Sequence, residues 1–235
     1  MLSVVIPAYN EADRILPTLR RMREYLDARA ERYEVIVVDD GSSDATSAVV
    51  EALRPGWSQL RVERLAANTG KGGAVRAGML AAGGELRLFS DADLSTPIEE
   101  LERLAECIGE DCHVAIASRG LDRSLIEHHQ VWRREIMGKT YNRILRVVAL
   151  PGMHDTQCGF KLFTAEAAVA CFTPLRTFRF GFDAEVLLRA RRRGWRIAEV
   201  PVRWRHVEAS RVHPVRDSSR MLWDLLRLRL RMRRI

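Results

Sequence analysis

The sequence predicts an α/β fold, a Rossmann-like and mostly parallel sheet with helices on both faces. Three observations predict it. Short apolar runs of strand length alternate with helix-length segments, the runs are continuously apolar as in strands buried on both faces, and several of them end abruptly in acids. Ser3 to Ile6 is the first such run; it turns at Pro7-Ala8-Tyr9-Asn10-Glu11 into a helix near Ala12 to Ala28. Tyr33 to Val38 is the second, ending in Asp39-Asp40-Gly41-Ser42-Ser43-Asp44 before a helix from Ala45 to Leu53. Leu60 to Leu65 leads through Asn68-Thr69-Gly70-Lys71-Gly72-Gly73 into a helix from Ala74 to Ala82. A fourth strand opens the stretch Leu86 to Asp93, followed by a helix from Pro97 to about Ile108 and a fifth strand from His113 to Ala117. Beyond Gly120 the pattern loosens into a polar segment, a helix from about Trp132 to Val148, and Asp155 to Phe163, too polar at its start for a core strand and too apolar at its end for a plain loop. Helices near Ala165 to Cys171 and Asp183 to Arg193 and a strand from Arg196 to Val200 complete the domain.

Ligands of open α/β sheets bind outside the carboxyl ends of the strands. Three acidic strand ends and one Gly-Lys-Gly turn therefore converge on one edge, an arrangement suited to a nucleotide. An Asp accepts from a base N–H, glycine backbone approaches phosphate closely, and a lysine or a metal offsets diphosphate charge. Asp91 and Asp93 are two residues apart, so on an extended segment both side chains point the same way and can hold a hard divalent cation. The plainer reading is a strand end leading into a helix start at Ser95, Thr96 and Pro97. Neither G-x-x-x-x-G-K-[ST] nor a G-x-G-x-x-G after the first strand is present, which argues against a P-loop and against a dinucleotide oxidoreductase.

The 235 residues fit one large domain, and 47% hydrophobic content is ordinary for a packed core. No run has the length of a membrane span, and Met1 leads straight into a strand pattern, so a cytoplasmic location is expected. Four cysteines lack metal-ligand spacing and disulfide density, which predicts reduced, mostly buried thiols. The net charge of +7 resides in the C-terminal quarter, where residues 176–235 hold 17 Arg against 6 acids. Only three lysines, Lys71, Lys139 and Lys161, stand beside 35 arginines, and two of them fall in motifs where a compact ammonium has a use.

Val4 to Glu11, Val38 to Asp44, Asn68 to Gly72 and Asp91-Ala92-Asp93 resemble the successive signatures of GT-A nucleotide-sugar glycosyltransferases. Asp155 to Phe163, Phe182-Asp183-Ala184-Glu185 and Trp204 to Leu226 are similar to the dolichyl-phosphate β-glucosyltransferase branch. Two departures stand out. Eukaryotic members of that branch carry an N-terminal membrane anchor, and mannose-transferring relatives differ around Gln157 to Lys161. The resemblance implies a catalytic domain over 1–215, with 1–118 as the nucleotide-sugar half and 119–215 as the acceptor half. It implies that Pro7, Tyr9, Glu11, Asp39, Asp40, Lys71 and Asp91 bind the nucleoside and its phosphates, and that Asp91 and Asp93 hold Mg²⁺ or Mn²⁺. Arg119, Arg133, Arg134 and Lys139 are candidates for seating an acceptor phosphate. Lys161 is expected to touch phosphate or sugar, Asp155, Gln157 and Glu185 sugar hydroxyls, and Asp183 sugar or acceptor. For Asp44 the turn-and-cap reading is kept, and a helix cap is the plainer reading for Asp183.

The implied reaction is an inverting transfer of a hexose, glucose favoured, from a nucleotide sugar, UDP-glucose favoured, to a polyprenyl phosphate. Such an acceptor is already an anion, so no strong general base is required. GDP-mannose as donor, a soluble sugar or polysaccharide as acceptor, and a non-catalytic binding protein are the competing readings. Residues 216–235 carry an apolar stripe, Met221, Leu225, Leu228, Met232 and Ile235, flanked by Arg220, Arg227, Arg231 and Arg234. A basic amphipathic helix there can lie on the cytoplasmic face of a membrane, or can pack on the domain. Without aromatic interleaving the arginines do not read as a nucleic-acid site.

Overall fold

The computed structural model describes residues 1–128, 140, 143–147, 150–206 and 227. Among the described residues seven strands form one sheet: β1 (Leu2–Ala8), β2 (Tyr33–Asp39), β3 (Leu60–Arg64), β4 (Leu86–Ser90), β5 (Cys112–Ser118), β7 (Phe160–Thr164) and β8 (Arg196–Pro201). Their order is β3-β2-β1-β4-β7-β5-β8, and a second sheet pairs β6 (Ile126–His128) with β9 (Trp204–Arg205). All neighbours in the large sheet are parallel except β7, which runs antiparallel between β4 and β5.

Side-chain alternation divides the core in two. Val4, Ile6, Val35, Val37, Leu88 and Leu162 face one layer, packed with α1 (Ile15–Asp27) and α4 (Leu101–Ala105). Val5, Ile36, Val38, Phe89 and Phe163 face the other, beneath α3 (Lys71–Ala81), α5 (Ala165–Phe172) and α6 (Phe182–Arg192). Both faces being covered is what made the strands read as unbroken apolar runs. Between β2 and β3 lies α2 (Thr46–Glu51).

Three elements differ from the sequence expectation. Helix α3 begins at Lys71, so the Gly-Lys-Gly segment is its first turn. Gly70 before it has φ of +92°, a conformation glycine adopts without strain. The fourth strand stops at Ser90, and Asp91 to Asp93 lie in a turn with Leu94 at φ of +47°, so the same-side argument from an extended segment does not apply. The segment from Asp155 ends in β7, an interior strand, with the Asp91 N–H extending its ladder to the Gly159 carbonyl at 2.9 Å. Cys112, Cys158 and Cys171 are buried, Cys107 is partly exposed, and all four are free thiols. Among the described residues no helix is long and apolar enough to cross a membrane. The helix expected over 216–235 lies outside the described residues except for Arg227.

Candidate active site

The carboxyl ends of β1, β2 and β4 and the N-terminus of α3 meet on one edge. The turns after β1 and β2 are laced together. Asn10 N–H donates to Ser42 Oγ and Asn10 Oδ1 accepts from Ser43 N–H, while Glu11 N–H donates to Thr46 Oγ1 at 2.7 Å. Asp44 stands one residue before Ala45, the N-cap of α2, and accepts from the Thr46 N–H at 3.0 Å. On this platform Pro7 is partly buried, Tyr9 is 39% exposed, and buried Glu11 pairs with Arg14. Arg14 has its guanidinium pKa raised by the hydrogen bond to Glu11, with Asp93 and Asp91 adding to the effect, so it stands within electrostatic reach of both acids. Nothing in the sequence motifs singled it out.

Asp39 and Asp40 are buried strand-end acids with different attachments. Asp39 accepts from Ser42 N–H at 2.8 Å and from the Ser47 hydroxyl. Asp40 takes the Thr69 N–H and hydroxyl on one oxygen, at 2.7 and 2.8 Å, and the Gly70 N–H on the other at 2.8 Å. Asp40 thereby shapes the turn that delivers Lys71.

Lys71 Nζ meets Asp91 Oδ1 at 2.6 Å. Burial opposes the lysine's charge, but Asp91, Asp183 and Asp93 outweigh it and raise its pKa. Burial raises the Asp91 pKa, and the like charge of Asp93 adds to it against the pull of Lys71. Asp91 nonetheless keeps 31% of its side chain exposed, as expected for a group lining a crevice. Asp93 accepts from the Ser95 N–H at 3.0 Å. Among the described residues no three His, Cys, Asp or Glu side chains converge as a cation cage. Two mutually repelling carboxylates are a donor set suited to a hard cation that keeps waters and completes its shell with substrate phosphate. The residues therefore fit Mg²⁺ or Mn²⁺.

Gly159 presses on this centre, since a Cβ there would fall within the van der Waals envelope of the Asp91 carboxylate. Gly159→Ala is expected to displace Asp91 and weaken Mn²⁺ binding by about 10–100-fold, the range for groups that orient a metal ligand. Mn²⁺ titration followed by EPR checks it; unchanged affinity would show that the fit against Gly159 does not matter.

Beneath the crevice lies a second charged pair. Lys161, on β7 and 1% exposed, reaches Asp183 Oδ1 at 2.5 Å and also donates to the Cys158 carbonyl. The Lys161 and Lys71 ammoniums lie 5.5 and 5.3 Å from the centroid of the Phe89 ring, whose π-face favours cations. Asp183 belongs to the first turn of α6, behind Gly181 at the N-cap, and is bound to Lys161 where a cap had been the plainer reading.

The remaining expected contacts are largely satisfied within the protein. The Arg119 fork clasps Asp155, with Nε to Oδ2 at 2.6 Å and Nη2 to Oδ1 at 3.0 Å, and its guanidinium lies 5.3 Å from the Trp204 ring. Burial opposes the Asp155 charge, Arg119 more than offsets it, and the carboxyl is lowered to about 2. Glu199, which the motifs did not mark, holds the 154–155 backbone, accepting from the His154 and Asp155 N–H groups. Gln157 is partly buried, and among the described residues its Nε2 has no hydrogen-bond partner. Glu185 accepts from the Arg176 and Thr177 N–H groups and from Arg189, so its oxygens fasten the loop before α6. These partners give Arg119, Asp155 and Glu185 fastening tasks within the protein. Arg133, Arg134 and Lys139 lie outside the described residues.

The folded pKa of Asp155 is depressed below its ordinary value, so its contribution to stability is present above about pH 4 and is lost as pH falls toward 2. Asp155→Asn is expected to cost on the order of 2 kcal/mol at neutral pH. Urea midpoints of variant and wild type should converge between about pH 4 and 2; a gap independent of pH would contradict the assignment.

This is the fold and edge geometry of a nucleotide-sugar transferase. Residues 3–172 match the family model described as glycosyl transferase family 2, and the chain belongs to that family of enzymes. It is 38% identical to the dolichyl-phosphate beta-glucosyltransferase of Homo sapiens, over 98% of this chain and 75% of that one. To the enzyme of the same name in Saccharomyces cerevisiae it is 33% identical, over 97% and 74%. The fold is similar to that of glucosyl-3-phosphoglycerate synthase from Mycobacterium tuberculosis in complex with UDP, with a TM-score of 0.70 and 20% identity over 97% of this chain and 80% of that one. A further structure of that synthase, with Mn²⁺, UDP and glucosyl-3-phosphoglycerate bound, gives a TM-score of 0.69 at 21% identity, over 97% of this chain and 78% of that one.

Proposed function

We propose that this glycosyltransferase moves glucose from UDP-glucose to a polyprenyl phosphate of the dolichyl type, with inversion at the anomeric carbon. The observation that carries the reading is the likeness, along nearly the whole chain, to dolichyl-phosphate beta-glucosyltransferases. In this reading residues 1–118 hold the donor, 119–215 the acceptor, and 216–235 attach the enzyme peripherally to the cytoplasmic face of a membrane.

Asp91 and Asp93 would hold Mg²⁺ or Mn²⁺, which when bound takes up charge on the leaving diphosphate. Lys71 exchanges its bond to Asp91 for a share of that diphosphate, while Tyr9, Pro7 and Asp39 seat the nucleoside and Asp40 fixes the turn beneath the phosphates. An oxygen of the acceptor phosphate bonds to the anomeric carbon as the carbon–oxygen bond to UDP breaks. Because that oxygen is already an anion, catalysis rests on positioning and charge stabilisation. Arg133, Arg134 and Lys139 seat the acceptor phosphate, Lys161 positions Asp183 toward sugar or acceptor, and the Arg119–Asp155 clasp shapes the wall carrying Gln157.

Incubation with a polyprenyl phosphate and either labelled UDP-glucose or labelled GDP-mannose, with Mg²⁺, Mn²⁺ or EDTA, tests donor and metal together. Transfer from UDP-glucose that EDTA abolishes and Mg²⁺ or Mn²⁺ restores is expected. Preference for GDP-mannose, or transfer unaffected by EDTA, would overturn the corresponding part.

A further inference from the structure

We infer that the loop of residues 173–181 is a second lipid-docking surface, one that presses Phe178 between Arg176 and Arg179 onto an anionic bilayer at the mouth of the donor site. This rests on the lipid-phosphate acceptor proposed above. The loop joins α5 to α6 and reads Thr173-Pro174-Leu175-Arg176-Thr177-Phe178-Arg179-Phe180-Gly181, without an acid. Leu175 and Thr177 are buried, whereas Arg176, Phe178 and Arg179 are exposed, Phe178 by 43%. Among the described residues neither the Arg176 nor the Arg179 side chain makes a hydrogen bond or ion pair. One large apolar ring between two unpaired guanidiniums is the composition that enters a membrane interface, the ring among the acyl chains and the cations at phosphate level.

The loop is also fixed and correctly placed. Glu185 accepts from the Arg176 and Thr177 N–H groups, at 3.2 and 2.9 Å, and Arg189 offsets its charge at 2.7 Å. The Phe178 carbonyl accepts from the Gly73 N–H at 3.0 Å, so the loop lies on the first turn of α3, two residues from the lysine that pairs with Asp91. A Cβ on Gly70 would meet the Phe178 carbonyl oxygen at 2.6 Å and Arg179 Cγ at 3.0 Å. A surface anchored here holds the crevice against the bilayer, where a lipid-borne phosphate has to enter it. Because the backbone is already ordered, little conformational entropy is lost when the three side chains dock.

The test uses the full chain with Phe178→Asp and with the double variant Arg176→Glu/Arg179→Glu. Sedimentation with phosphatidylcholine vesicles, with and without phosphatidylglycerol, reads the partition, and UDP titration reads the donor site. Phe178→Asp should lower partition about tenfold on both vesicles, and the double variant should remove the preference for phosphatidylglycerol, with UDP affinity within about twofold of wild type in both. Partition equal to wild type overturns the inference. So does a large loss of UDP affinity in the double variant, which would make these arginines part of the nucleotide site. Wild-type transfer to a short, water-soluble prenyl phosphate in detergent separates the two proposals. If it occurs while vesicle binding is unaffected by the variants, the docking surface is wrong and the acceptor right; if no prenyl phosphate is glycosylated, the acceptor reading fails whatever the vesicles show.

Discussion

Asp91→Asn abolishes measurable transfer in this account, lowering turnover by about 10²–10⁴-fold, while the protein stays folded. The substitution keeps size and shape, so the contact with Gly159 survives, and it removes only the charge. Two losses combine. The divalent cation loses one of two protein carboxylates, and Lys71 loses the partner that holds it at the crevice. Metal-assisted charge stabilisation is worth several kcal/mol at a transition state, and each 1.36 kcal/mol is a factor of about ten in rate, which gives the range. Steady-state turnover over a range of Mn²⁺ concentrations is the measurement, with circular dichroism confirming the fold. Turnover within about threefold of wild type would remove Asp91 from the centre. Because burial and Asp93 both disfavour the charged form of Asp91, the folded domain without metal should lose nothing in stability through that carboxylate.

Lys161→Met has the largest expected effect on stability. Lys161 is 1% exposed and Asp183 5%, and removing one member of a buried ion pair leaves the other uncompensated, at about 3–5 kcal/mol. For a chain of this size that corresponds to a fall in Tm of roughly 6–20 °C. A buried pair replaced as a whole by apolar groups is often close to neutral, so Lys161→Met/Asp183→Leu should regain most of the loss. Thermal unfolding of the two single variants and the double variant measures it. Additive losses would show that the pair does not act as a unit. Activity separates structure from chemistry. A double variant restored in Tm but inactive marks the pair as groups that substrate needs, whereas restored turnover confines the pair to holding the fold.

The strands were legible because a sheet covered on both faces writes its strands as apolar runs, and β2 and β4 end where acids end the run. The edge that gathers Lys71 and Asp91 followed from the same logic, since strand ends in such a sheet share a side. The start of α3 was not legible. Gly72 and Gly73 are poor helix formers, and only the structure shows that a Cβ at Gly72 would strike Phe182 and one at Gly73 would strike the Thr69 side chain. Nor was β7 legible as an interior strand, because the segment from Asp155 is too polar at its start for a core strand and β7 itself carries a lysine at its second position. That lysine is compensated by Asp183, 22 residues later, a pairing with no local signature. The clasp of Arg119 on Asp155, 36 residues apart, is not legible either, because sequence shows a charge and not its partner. The Arg176-Phe178-Arg179 surface is not legible within a C-terminal quarter rich in arginine throughout, and it stands out only once burial separates these side chains from Leu175 and Thr177.

The acceptor is the central claim, and a competition addresses it most directly. The enzyme is given labelled UDP-glucose and Mg²⁺ with a polyprenyl phosphate and 3-phosphoglycerate together, and label is counted in the organic and aqueous phases after extraction. The account predicts that glucose follows the lipid into the organic phase and that 3-phosphoglycerate neither takes label nor reduces it. Label in an aqueous glucosyl phosphoglycerate, with none in the organic phase, would contradict the account and reassign the enzyme to a soluble acceptor.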